Sequence, residues 1–112
     1  MLIGVAGPYS ADTEEQRQKN LDAMNIAAAK LLEKGHTPLI GVNAALPIVQ
    51  ALQKTNPDSE VDIYEAIMKI SLAVIDKCEA LLLIGESPGA NRERDLVLSK
   101  GLKVYYSLDE IP

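Results

Sequence analysis

The stretch that most restricts how this chain folds is Ala80–Ile84, ALLLI, followed by Gly85 and then by ESPGANRERD, residues 86–95. An apolar run of this length, without polar alternation, is too short for a helix and reads as a strand buried on both faces, the usual state of strands in a parallel sheet. Gly85 stops the run, and Ser87-Pro88-Gly89 supplies a tight turn, with proline setting one backbone angle and glycine admitting conformations that other residues avoid. Asn91 is the expected cap of the helix that follows, which places Arg92, Glu93 and Arg94 in its first turn. In open parallel sheets, ligands sit outside the carboxyl ends of the strands, where N–H groups at helix starts attract anions. Two roles are therefore open to Glu93: a carboxylate facing that crevice, or an acid that complements the helix dipole.

The rest of the chain alternates in the same way. Leu2–Ala6 is a second short apolar run, ended by the turn Gly7-Pro8-Tyr9-Ser10. A polar helix follows, with Asp12 or Thr13 as its cap and Glu15 or Gln16 completing a capping box. Leu21, Met24, Ala28, Leu31 and Leu32 recur at helical spacing, and Gly35 ends the helix. Residues 37–42 predict a third strand, and residues 43–52 a short helix interrupted near Pro47. Ser59 is the expected cap of a long helix over residues 60–77, and residues 103–106 form the last strand, after Gly101 closes the preceding helix. The long helix is apolar nearly all round, from Val61 through Ile75. It therefore predicts two packing partners, the sheet and a second subunit of a homodimer or higher homo-oligomer.

These elements predict one α/β domain over residues 1–112, a doubly wound parallel sheet of four to five strands with 2–6 beside 80–84 at its centre. The Gly7–Ser10 turn would then line the same crevice as Ser87–Asn91. Tyr9 in that turn is either a phenol that hydrogen-bonds a ligand or a catalytic carboxylate, or a plain surface tyrosine.

Composition removes several function classes. A formal charge of −5 argues against a partner of polymeric nucleic acid, though not against a small anion held by one helix terminus or one arginine. Cys78 is the sole cysteine and His36 the sole histidine, so neither an internal disulfide nor a zinc site with its usual ligands is expected. GxGxxG is absent, so a dinucleotide site of that kind has no support, and no cofactor is expected. With no apolar run of membrane-spanning length and no leader pattern, the expectation is a cytoplasmic protein without a membrane partner.

Four stretches, Gly7-Pro8-Tyr9-Ser10, Gly35-His36, residues 87–93 and the closing GLKVYYS, resemble the nucleoside 2-deoxyribosyltransferase superfamily, which also holds nucleotide N-glycosidases. The resemblance runs over nearly the whole chain. It implies a flavodoxin-like fold and cleavage or transfer at the bond between a (deoxy)ribose and its base. The family's catalytic glutamate lies four residues after the glycine of its second turn, which is Glu93 here. Its implied role is a nucleophile that forms a covalent glycosyl-enzyme, with Tyr9 orienting it. The implied substrate-binding residues are Gly7, Ser10, Asn43, Ser71, Ser87, Gly89, Ala90 and Asn91. Ser87 stands where nucleotide N-glycosidases carry a serine for a 5′-phosphate, which favours a monophosphate substrate. One departure bears on mechanism: Ser71 replaces an aspartate that the family usually carries seven residues before the position of Cys78. A hydroxyl is a poor proton donor, so the alternative is a nucleotide-binding or sensor protein that uses the same crevice without useful turnover. Otherwise another group protonates the base: Asp62, Glu65 or a residue of a partner chain.

Overall fold

The computed structural model describes residues 1–112 as one α/β domain with a flavodoxin-like, doubly wound sheet. Strands β1 (Leu2–Ala6), β2 (Thr37–Leu39), β3 (Ala80–Leu83) and β4 (Lys103–Tyr105) are all parallel, in the order β2-β1-β3-β4. Helices α1 (Glu14–Glu33), α2 (Gly41–Thr55), α3 (Ile63–Ile75) and α4 (Pro88–Ser99) make the crossovers, and a short 3₁₀ turn at Leu108–Glu110 follows β4. Two apolar layers flank the sheet. Ile3, Val5 and Leu82 pack with Met24, Ala28 and Leu31 of α1 on one face. Leu81, Leu83 and Val104 pack with Ile75 of α3 and Val97 of α4 on the other. Burial on both faces is why β3 reads as an unbroken apolar run.

The central pair is β1 and β3, in the register Ile3↔Ala80 to Ala6↔Leu83, so both strands end at the same level. The Ile84 N–H extends the ladder by donating to the Ala6 carbonyl at 2.9 Å. From β1 the chain crosses to one side and from β3 to the other. That reversal is the switch point at which sheets of this kind leave a crevice.

Several element boundaries differ from the sequence expectation. Strand β2 stops at Leu39 because the chain turns into α2 at Gly41, where the helix crosses α3 so closely that a Cβ on residue 41 would lie 2.8 Å from the Ser71 Cα. The apolar Ile40-Gly41-Val42 reads as strand in isolation; tertiary packing decides otherwise. Pro47 sits inside α2 instead of breaking it, its missing N–H offset by the burial of Ala45 and Val49 against neighbouring elements. Helix α3 starts later than expected, capped by Asp62, whose side chain accepts the Glu65 N–H at 2.9 Å. Ser59 accepts the Val61 N–H in the loop before it. As expected, Thr13 caps α1, accepting the Gln16 N–H at 3.1 Å.

The second face of α3, expected against another subunit, is covered largely by α2 of the same chain. The free edge of the sheet at β2 is blunted by its own sequence. Thr37 donates its N–H to the Met1 carbonyl just before β1, so Pro38 faces outward, and proline has no N–H to offer an added strand. No helix is long and apolar enough to cross a membrane.

Candidate functional site

The turns after β1 and β3 enclose, with α3, a cavity of about 340 Å³. This lies at the small end of the range for small-molecule sites, about 300–1,000 Å³. Gly7, Tyr9 and Ser10 come from the first turn, Ser87, Gly89, Ala90 and Glu93 from the second turn and α4, and Ile63, Tyr64, Ile67 and Met68 from α3. The lining is mostly apolar, and Glu93 is its one carboxylate.

Helix α4 begins earlier than the sequence reading places it. Ser87, not Asn91, is the N-cap; its hydroxyl oxygen accepts the Ala90 N–H at 3.1 Å, and Pro88 takes the first helical position, where no N–H is needed. The Asn91 N–H is already bonded to the Ser87 carbonyl at 2.8 Å. Glu93 therefore stands in the second turn, beyond the reach of dipole complementation, which fades within the first turn. It is only 4% exposed, yet its carboxyl has no hydrogen-bond partner, and burial alone pushes its pKa up to about 7. Its charge reaches Cys78, whose thiol is raised first by its own burial and then by Glu93.

Around Glu93 the polar groups are few and specific. Tyr9 lines the same cavity, but no hydrogen bond joins it to Glu93; its carbonyl is held by the Asn20 side chain at 3.0 Å. The turn amides are fewer than expected for an anion cradle. Pro88 has none and those of Ala90 and Asn91 are committed to Ser87, so of residues 88–91 Gly89 keeps the free one. The Ser87 hydroxyl accepts through its oxygen, so its proton remains free to donate. Gly89 also allows close packing, since a Cβ there would lie 3.1 Å from the Met68 Sδ.

Three sequence-derived site residues lie elsewhere. Asn43 points into a separate groove, where it donates to Asn25 Oδ1 at 2.8 Å. Asn91 accepts from Arg94 at 3.4 Å and does not line the cavity. Ser71 is wholly buried beneath Gly41, with its hydroxyl unpartnered. It sits on the α3 stripe of Tyr64, Ile67 and Met68, but the cavity lining stops at Met68, one turn short. Asp62 and Glu65 are also outside it, the first capping α3 and the second paired with Arg92. What sequence reasoning missed is the α3 wall, Tyr64 and Met68 above all. No group of acids, histidine and cysteine is placed to hold a metal.

No family model matches this chain, and no curated protein matches it. What the fold and site define is a class: a flavodoxin-like domain with a buried, unpartnered carboxylate at the β1/β3 switch point.

Proposed function

We propose that this chain is an enzyme acting at the N-glycosidic bond of a (deoxy)nucleoside or its 5′-monophosphate, of the nucleoside 2-deoxyribosyltransferase or nucleotide N-glycosidase kind, with Glu93 as nucleophile. The observation that carries the reading is the Glu93 carboxyl itself, buried and unpartnered in a cavity at the switch point. Structural carboxylates are normally paired when buried; unpaired ones cluster where chemistry needs them. The resemblance in residues 7–10 and 87–93 supplies the reaction class.

In this mechanism the ionised Glu93 oxygen attacks the anomeric carbon as the bond to the base nitrogen breaks, and that electron pair leaves with the base. The resulting glycosyl ester is resolved by water, which gives the free sugar, or by a second base, which gives a new nucleoside. Glu93 returns as a carboxylate. The departing base needs a proton, and with Ser71 sealed under α2 the cavity holds no second carboxylic acid. The proton then comes from water or from a phenol, Tyr9 or Tyr64, both of which line the cavity. Turnover is accordingly slow and favours bases that depart readily.

The same absence of a second acid favours the other reading, a nucleotide-binding protein with little turnover. Incubation with a panel of deoxynucleosides and their monophosphates, followed by chromatography, separates the two. Free base, or base exchange when a second base is added, supports the enzyme; binding without release supports the sensor. Self-association into a homo-oligomer belongs to this reading as well, and sedimentation at micromolar concentration tests it. A stable monomer would remove it.

A further inference from the structure

One cation, Arg92, stands behind the cavity wall, against the Tyr64 that lines it, and takes no part in the mechanism above. Gly89, Arg92 and Glu93 fall on one face of α4, at i, i+3 and i+4. Arg92 is turned away from Glu93, whose carboxyl is raised by burial with no relief from a neighbouring positive charge. Instead its Nη1 donates to Glu65 Oε1 at 2.9 Å, and its guanidinium lies 5.9 Å from the centre of the Tyr64 ring. Tyr64 lines the cavity, and its hydroxyl comes within 3.9 Å of where a Cβ on Gly89 would stand. The free Ser87 hydroxyl proton, the free Gly89 N–H and the Tyr64 phenol thus line one end of the cavity, with the Arg92 guanidinium against the Tyr64 ring. The buried, unpartnered carboxyl of Glu93 one turn on marks the place where a ligand completes the polar contacts.

Glu65 holds Arg92 loosely. The two side chains are 41% and 58% exposed, and exposed pairs of this kind contribute little. A phosphate monoester carries more charge than one carboxylate and offers three strong acceptor oxygens to the same guanidinium. We propose that Arg92 is the residue that selects a 5′-phosphorylated substrate. It exchanges Glu65 for the phosphate, which Ser87, Gly89 and Tyr64 hold beside it, and Glu65 is the internal competitor that sets the affinity. This rests on the nucleoside and nucleotide reading above. It also explains how a carboxylate nucleophile tolerates a phosphate nearby, since the guanidinium neutralises it.

The test is calorimetric binding of a 2′-deoxynucleoside, its 5′-monophosphate and 2-deoxyribose 5-phosphate to wild type, Arg92→Gln, Arg92→Lys and Glu65→Gln. Base release is followed on the same samples. Wild type should prefer the monophosphate over the nucleoside by about tenfold or more, the worth of one charge-assisted hydrogen bond. Arg92→Gln should remove most of that preference, Arg92→Lys should keep part of it, and Glu65→Gln should raise monophosphate affinity by roughly threefold as the competitor is lost. The proposal is overturned by no preference in wild type, by a preference unchanged in Arg92→Gln, or by Glu65→Gln weakening binding as much as Arg92→Gln does. Base release without an Arg92-dependent preference sinks the phosphate assignment alone. Arg92-dependent binding with no base released from any compound sinks the glycosidic chemistry alone.

Discussion

Two concave regions of the molecule differ in kind, and the larger is not the one with chemistry in it. Along β2, between α1 and α3, runs an open groove of about 910 Å³ lined by Asn25, Asn43, Lys69, Lys77 and apolar neighbours. Its two asparagines share one hydrogen bond, and Lys69 and Lys77 are exposed to water. The cavity at the ends of β1 and β3 has little more than a third of that volume, yet it holds a carboxyl with no partner, raised to about 7 by burial. Volume is cheap at the edge of a sheet. A carboxyl held at 4% exposure without a hydrogen-bond partner is not, and its persistence marks the region where something other than stability shapes the residue.

That contrast breaks first at Ser71. If the α3 stripe ended in the cavity, Ser71→Asp would simply supply a second acid. Buried beneath Gly41, an aspartate there has neither water nor a partner, and the change should cost about 3–5 kcal/mol. Urea unfolding measures this, and an aspartate tolerated without loss would reopen Ser71 as a substrate residue.

Next comes Glu93. Its carboxyl is raised in the folded state, the reverse of the usual acid, so its contribution to stability is present below the ordinary carboxyl range and is lost as pH rises to about 7. The shift from 4.5 to about 7 corresponds, at 1.36 kcal/mol per unit, to about 3 kcal/mol. Glu93→Gln does not titrate. Relative to wild type it should therefore gain about 3 kcal/mol between pH 4.5 and pH 8, read from paired unfolding curves. A constant difference across that range would mean the carboxyl is solvated. Gly41→Ala should cost about 1–3 kcal/mol, because the added methyl meets the Ser71 backbone, which cannot yield as a side-chain tip would. Asn43→Ala, in the open groove, should cost only about 1 kcal/mol, the value of one exposed side-chain bond, and leave ligand binding in the cavity unchanged.

Much of the frame could be read from short apolar runs. Leu2–Ala6 and the residues from Ala80 onward pair at the centre of the sheet, because strands buried on both faces cannot hide their composition. The boundaries were less legible where two local signals compete. Ser87-Pro88 and Asn91 both look like helix starts, and the pairing of a serine cap with proline at the first position prevails. Ser59 and Asp62 compete likewise, and the Asp62-x-x-Glu65 spacing held the better signal. The position of Glu93 near the crevice follows from its turn. Its depth does not, since it depends on where α4 begins. The contribution of Tyr64 and Met68 was hidden for a different reason. A helix apolar nearly all round does not announce which stripe meets the sheet, which meets α2, and which is left to line a cavity.

The central claim is that the buried Glu93 carboxylate attacks the anomeric carbon, and the most direct measurement is the rate of base release against pH for wild type and Glu93→Gln. For wild type the rate should rise with pH and level off through an apparent pKa of about 7, as the carboxyl ionises, and Glu93→Gln should bind substrate but release no base at any pH. Base release by Glu93→Gln at the wild-type rate would contradict the account.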